Sequence, residues 1–176
     1  MENVNLSFRY EEQDYVRAMR AHYATRLRLP LDLTVTAVTA LLGAYELRSG
    51  SRAFGIGLLC LSGGFILILV AAFAVIPRIW FRSQPKLRDE YSLRFSSEGI
   101  HFQTVHIDSD LQWTMYTRAL VDPYSFILYY GNQQFTVIPK RVFSDGAQRE
   151  LFERLLSQNV SNILNKTPKG DKPQSR

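Results

Sequence analysis

The sequence predicts an α+β chain: a transmembrane hairpin of two apolar helices, joined to a small antiparallel β domain that closes with a C-terminal α-helix. Three observations carry this expectation. Residues Ala53 to Ile76, AFGIGLLCLSGGFILILVAAFAVI, run for twenty-four positions without a charge. At about 1.5 Å rise per residue such a helix is about 36 Å long, enough to cross a hydrocarbon core of roughly 30 Å. A core helix of that length in a soluble protein normally keeps one polar face, and this stretch has none. The second observation is the short link Arg48-Ser-Gly-Ser-Arg52 to a preceding apolar segment, and the third is the series of short alternating segments between Tyr91 and Ile138.

The 176 residues leave room for one domain of about 100 residues beside a membrane segment. Mean hydropathy of −0.12 averages over a strong partition, with apolar residues in the middle and charges outside. The net charge of +5 suits an anionic partner. Because the basic residues crowd the ends of the apolar segments, a bilayer rather than nucleic acid is the expected one. The single cysteine, Cys60, lies inside the apolar run, which excludes an intramolecular disulfide and a cysteine metal site. The first thirty residues are polar and no small-residue cleavage site follows, so no cleaved signal is expected.

In chain order, NVNLSFRY (3 to 10) alternates, with Val4, Leu6, Phe8 and Tyr10 on one side, as in a half-buried strand. It is expected to pair with the later β domain. Glu11, Glu12 and Asp14 suit a helix first turn, and Tyr15, Met19, Tyr23 and Leu27 recur at four-residue spacing opposite Arg17, Arg20 and Arg26. Such a basic amphipathic helix either lies on a membrane surface or packs on the soluble domain. Pro30 opens the first apolar segment, in which only Leu33 to Tyr45 is free of charge, with Asp32 and Glu46 near the ends.

Small residues at four-three spacing, Ala53, Gly57, Cys60, Gly64 and Ala71, form a stripe on the second helix; the first offers Thr36, Ala40 and Gly43. The stripe faces either the first helix or a second copy of the chain. Arg17, Arg20, Arg26 and Arg28 precede the hairpin and Arg78, Arg82, Lys86 and Arg88 follow it, against Arg48 and Arg52 in the turn. The positive-inside rule then puts both termini in the cytoplasm of a multi-pass inner-membrane protein. Trp80 and Phe81 anchor that interface, and Pro77 is expected to end the helix.

YSLRFSS, IHFQTV, a strand around LQWTMYTRALV, YSFILYY and QQFTVI give about five strands, with turns at Glu98-Gly99, Asp122-Pro123 and Gly131-Asn132 and a loop at HIDSD. Ser144 or Asp145 caps a last helix whose apolar face is Leu151, Phe152, Leu155, Leu156, Val160, Ile163 and Leu164. One strongly bent sheet with that helix over an opening buries these faces economically. The resulting division is 1–29, strand and amphipathic helix; 30–82, hairpin (about 30–47 and 53–76); 83–165, β domain; 166–176, disordered tail.

Tyr91-Ser-Leu, Glu98-Gly99-Ile100, Trp113, Tyr116, Phe126-Ile-Leu-Tyr129 and Ile138-Pro-Lys-Arg-x-Phe143 stand in an order that resembles the YcxB-like membrane proteins. Phe8-x-Tyr10, Asp14-Tyr15 and the placing of the two apolar helices are similar to that family as well. The resemblance implies a bacterial pleckstrin-homology-like C-terminal domain on the cytoplasmic side and assigns no molecular activity.

His101, His106, Asp108 and Asp110 are the one cluster of ligand-type residues, but alternation turns His101 and His106 to different faces. No catalytic, cofactor or metal residues are therefore assigned, and no phosphate loop, paired-cysteine or HExxH motif appears. The expected function is an interaction module displayed at the membrane. Lys140, Arg141, Arg78, Arg82, Lys86 and Arg88 are the candidate contacts to anionic headgroups or a membrane-protein partner. The competing classes are a small membrane enzyme using His101, His106 and Asp108, and a subunit of an oligomeric channel or transporter, in which Glu46 would matter.

Overall fold

A computed structural model of the chain describes residues 3–131 and 134–166, apart from the side chain of Arg26. The expected disordered tail lies outside the described residues from position 167 onward. The chain divides into two compact units, Met1–Ala18 with Gln84–Arg176, and Met19–Ser83. The N-terminal strand and the start of the first helix fall in the same unit as the β domain.

In the first unit, β1 (Val4–Arg9), β2 (Glu90–Phe95), β3 (Ile100–Gln103) and β4 (Asp108–Leu111) form one antiparallel sheet in that order. Leu6 lies opposite Leu93 and Phe8 opposite Tyr91, so the pairing expected of residues 3 to 10 is present. The alternation read from both segments is the reason: Val4, Leu6, Phe8, Tyr91, Leu93 and Phe95 are buried on one face, while the residues between them are exposed. The HIDSD stretch is not simply a loop. Its aspartates open β4, where Asp110 pairs with His101 and Asp108 with Gln103.

The second sheet has the order β7 (Gln134–Pro139), β6 (Ser125–Tyr130), β5 (Tyr116–Val121), β8 (Ile163–Asn165). Two four-stranded sheets thus replace the single bent sheet. The segment around LQWTMYTRALV is split by a 3-10 turn at Trp113–Met115. Ile163 and Leu164 do not extend the last helix. That helix, α5 (Gly146–Asn159), ends before them, and β8 runs parallel to β5, with the Asn162 carbonyl accepting from the Ala119 N–H at 2.8 Å. Edge-strand hydrogen bonds to β5 outweigh one more helical turn there.

Asp145 caps α5, accepting from the Gln148 N–H at 2.7 Å, while the Gln148 side chain accepts from the Ser144 N–H. Phe152 of α5 meets Phe95 of the first sheet edge-on at 4.8 Å and Phe126 of the second at 5.0 Å, so one ring ties both sheets to the helix. Asp122 makes the β5–β6 turn, its carboxylate accepting from the Tyr124 and Ser125 N–H groups. At the end of β6, Gly131 takes φ 69°, a left-handed conformation that glycine adopts without cost.

The helix α1 (Glu12–Arg26) begins in the first unit and continues into the second. Asp14, Val16 and Ala18 are its buried residues, while Tyr15, Met19 and Tyr23 are half-buried and Leu27 is exposed. The second unit is built on α2 (Leu29–Ser49) and α3 (Arg52–Val70), which pack against each other. A methyl group on Gly55 would stand 2.8 Å from the Gly43 carbonyl oxygen and 2.9 Å from the Leu47 nitrogen, so the backbones touch at Gly43 and Gly55. Ser62, also buried, bonds back to the Leu59 carbonyl. The expected stripe does not make this contact: Ala53, Gly57 and Cys60 are exposed, and nothing lies within 4 Å of a methyl at Gly57 or Gly64.

Pro77 does not end the helix. A π turn at Ala71–Val75 leads into α4 (Ile76–Ser83), where Pro77 falls in the first turn. Proline has no N–H for the Phe73 carbonyl, and the Arg20 Nε donates to that oxygen at 2.8 Å instead. The joined helix Arg52–Ser83 is long and apolar enough to cross a membrane; Glu12–Thr25 with Leu29–Ser49 is a second candidate if the pair, bent by 76°, is counted as one span.

Candidate functional site

The basic residues singled out in the sequence have different surroundings. Arg141 follows β7 in a 3-10 turn, and its guanidinium is spread over the N-terminal segment. Its Nη2 donates to Asp14 Oδ2 at 2.6 Å and to the Arg9 carbonyl at 2.9 Å, its Nε donates to Asp14 at 3.1 Å, and Glu11 lies at 3.4 Å. Asp14 is 8% exposed and also accepts from the Glu11 N–H at 3.0 Å, the return arm of a helix N-terminal box. Hydrogen bonding to the Asp14 carboxylate raises the Arg141 pKa, partly opposed by desolvation. A fork that grips a carboxylate and a carbonyl together fixes the β1–α1 corner to the end of β7.

Lys140 differs from its neighbour: its Nζ stands 5.1 Å from the centre of the Phe126 ring. Lys86 and Arg88 are exposed on the 3-10 turn Pro85–Arg88 that precedes β2. In the second unit Arg78 and Arg82 are exposed one helical turn apart on α4, with the Arg78 Nη1 donating to the Ala74 carbonyl.

Tyr10 is buried, and its hydroxyl donates to the Val137 carbonyl, tying the end of β1 to the second sheet. Burial, with Tyr91 nearby, pushes its pKa well above the ordinary tyrosine value. Tyr91 donates to the Lys86 carbonyl at 2.9 Å, and desolvation together with the Asp89 charge moves its pKa up to about 12. The rings of Phe8, Tyr10 and Tyr91 stack and meet edge-on at 4.8 to 5.9 Å.

The histidines are separated. His101 is bracketed by two carboxylates, Asp110 at 2.7 Å from Nδ1 and Asp108 at 3.4 Å from Nε2, on the exposed face of the first sheet. His106 points instead toward Asp89, at 4.0 Å. An open polar depression of about 480 Å³ runs beside His101, between Arg94, Glu98, Asp110 and Gln112. Among the described residues no group of three or more histidine, cysteine or acidic side chains converges as metal ligands do. Asp32 and Glu46 are half-buried near the two ends of α2.

Sequence reading missed the partnership of Asp14 with Arg141, because nothing in a single chain reveals a contact across 127 positions. The available signal was Asp14 itself, three residues after Glu11 at a helix start.

The geometry defines a class: an α+β protein whose β domain is interrupted by an apolar helical segment. Within it, residues 95–156, from the end of β2 through most of α5, match the YcxB-like protein family, the family that the sequence resembles. No curated protein and no solved structure matches the chain.

Proposed function

We propose that this chain is a multi-pass membrane protein in which α2 and α3–α4 form a spanning hairpin that displays the β domain as an interaction module. The pairing of β1 with β2 carries the reading. These strands flank the helical segment and are hydrogen-bonded neighbours, so the chain must come back to the side of the bilayer that it left. The number of crossings between them is even. Arg52–Ser83 supplies one, and α2, with 21 residues and a length of about 31 Å, has the reach for the other. Both helices expose many large apolar side chains, Leu33, Val35, Leu41, Phe54, Leu61 and Leu67 among them, as lipid contact requires.

The excess of arginine and lysine before α2 and after α3 favours the cytoplasm for both termini. A pleckstrin-homology-like domain is the fold that the family match and the two sheets tied together by α5 favour. Its task in this reading is to bind a partner at the membrane. Lys140, Lys86, Arg88, Arg78 and Arg82 offer charge to anionic headgroups or to a membrane-protein partner, while Arg141 holds the domain together. Reporter fusions after Arg82 and at Gly50 test the hairpin: opposite sides are expected, and the same side for both overturns it. A photo-crosslinker at Lys140 in intact cells then reads the partner, with adducts confined to monomeric chain arguing against the module.

A further inference from the structure

We infer that the β3–β4 turn, Thr104 to Ile107, dips into the interfacial layer of an anionic bilayer; this rests on the membrane reading above. Val105 is 76% exposed and Ile107 45%, two apolar side chains at the tip of a hairpin whose strands bear polar residues on their outer face. A tight turn does not need them, since the backbone bond from the Thr104 N–H to the Ile107 carbonyl closes it at 2.7 Å. Their place in the domain gives them a use.

Both connections to the apolar helices leave from this end of the first sheet. Arg9, the last residue of β1, pairs with Glu90, the first of β2, and the turn follows the adjoining row in which Ser92, Gln103 and Asp108 are neighbours. His106 reaches to 4.0 Å from Asp89. Asp89 is six residues beyond Ser83, the end of the long apolar helix. Six residues span at most about 20 Å, so Asp89 and the turn beside it stay within that reach of the end of the apolar helix. The opposite turn, Ser96 to Gly99, lies about 20 Å farther along the strands.

Lys86 and Arg88, exposed in the same short connection, complement anionic headgroups, and apolar tips beside basic residues are what interfacial insertion uses. The occupant is therefore lipid, not a protein groove.

The test uses the full chain carrying Cys60→Ser, with single cysteines at Val105, Ser97 or Leu67 labelled with an environment-sensitive dye. The proteins are reconstituted in vesicles of phosphatidylcholine and phosphatidylglycerol, with or without spin-labelled lipids, one that quenches near the top of the acyl chains and one that quenches near the bilayer centre. The expected result is a blue-shifted emission at Val105 that the shallow spin label quenches, quenching at Leu67 in the apolar helix by the deep one, and unquenched, water-like emission at Ser97. Quenching at Leu67 without quenching at Val105 overturns the insertion and leaves the membrane reading intact. A blue shift at Val105 that lipid does not quench also overturns it, in favour of protein contact. Absence of quenching at Leu67 overturns the membrane reading and the insertion with it.

Discussion

Arg141→Ala should loosen the N-terminal strand from the domain. The change removes two guanidinium nitrogens from a carboxylate that is 8% exposed, leaving Asp14 with the Glu11 N–H at 3.0 Å. Hydrogen bonds to charged groups contribute about 1.5–3 kcal/mol each. Because the Arg141 side chain is 43% exposed, water replaces part of the loss, and a net destabilisation of about 2–3 kcal/mol remains. For a domain of about 100 residues that is a fall in Tm of roughly 10 °C or more. Arg141→Lys keeps the charge but not the fork over Asp14 and the Arg9 carbonyl, and should cost about half as much. The assay is thermal unfolding of the purified full chain by near-UV circular dichroism, paired with hydrogen exchange of the β1 amides. A double-mutant cycle with Asp14→Asn isolates the coupling. Unchanged Tm and unchanged β1 protection in Arg141→Ala would refute the reasoning.

Gly55→Ala forces a methyl against the Gly43 carbonyl and should cost about 1–3 kcal/mol of hairpin stability, read as a lower midpoint in a denaturing-detergent titration. Gly57→Ala, in open space, should leave the midpoint in place. Tyr10, Tyr91 and Tyr116 have raised pKa values, so their contribution is complete below the unfolded value near pH 10 and is lost as pH rises through the folded ones, about 12 for Tyr91. Tm should fall steeply between pH 10 and 12, less so in Tyr91→Phe; a flat profile would contradict the burial argument. Leu164→Pro removes a β8 N–H that the parallel register turns toward β5, and should release β8 and expose the Ala119 amide to exchange while the α5 amides stay protected.

What the sequence made legible was whatever has a local period. The alternation of Val4, Leu6 and Phe8 predicts both a strand and its buried face, and the uncharged run from Ala53 predicts a helix without reference to anything else. The cap at Asp145 is equally local. What escaped reading depends on contacts between distant positions. Ile163 and Leu164 continue the apolar spacing of a helix, yet β5 offers them backbone partners that no window around position 163 contains. Pro77 reads as a helix end until a π turn shifts the ladder and Arg20, fifty-three positions before Phe73, takes the carbonyl of that residue. Gly57 and Gly64 fit a packing stripe as well as Gly55 does, and only the rotation of α3 against α2 separates them. At the candidate site the same limit holds: Lys140 and Arg141 are adjacent and chemically alike in sequence, while Asp14 makes one of them a structural clamp.

The central claim is that strands on either side of the apolar helices fold together on one side of a membrane that the hairpin crosses twice. Its most direct test is labelling of single cysteines at Ser7, Gly50 and Ser97, in a Cys60→Ser background, by a membrane-impermeant thiol reagent in sealed vesicles of each orientation. The account predicts that Ser7 and Ser97 react from one side only and Gly50 from the other only. Labelling of Ser7 and Ser97 from opposite sides, or of all three from the same side, would contradict it.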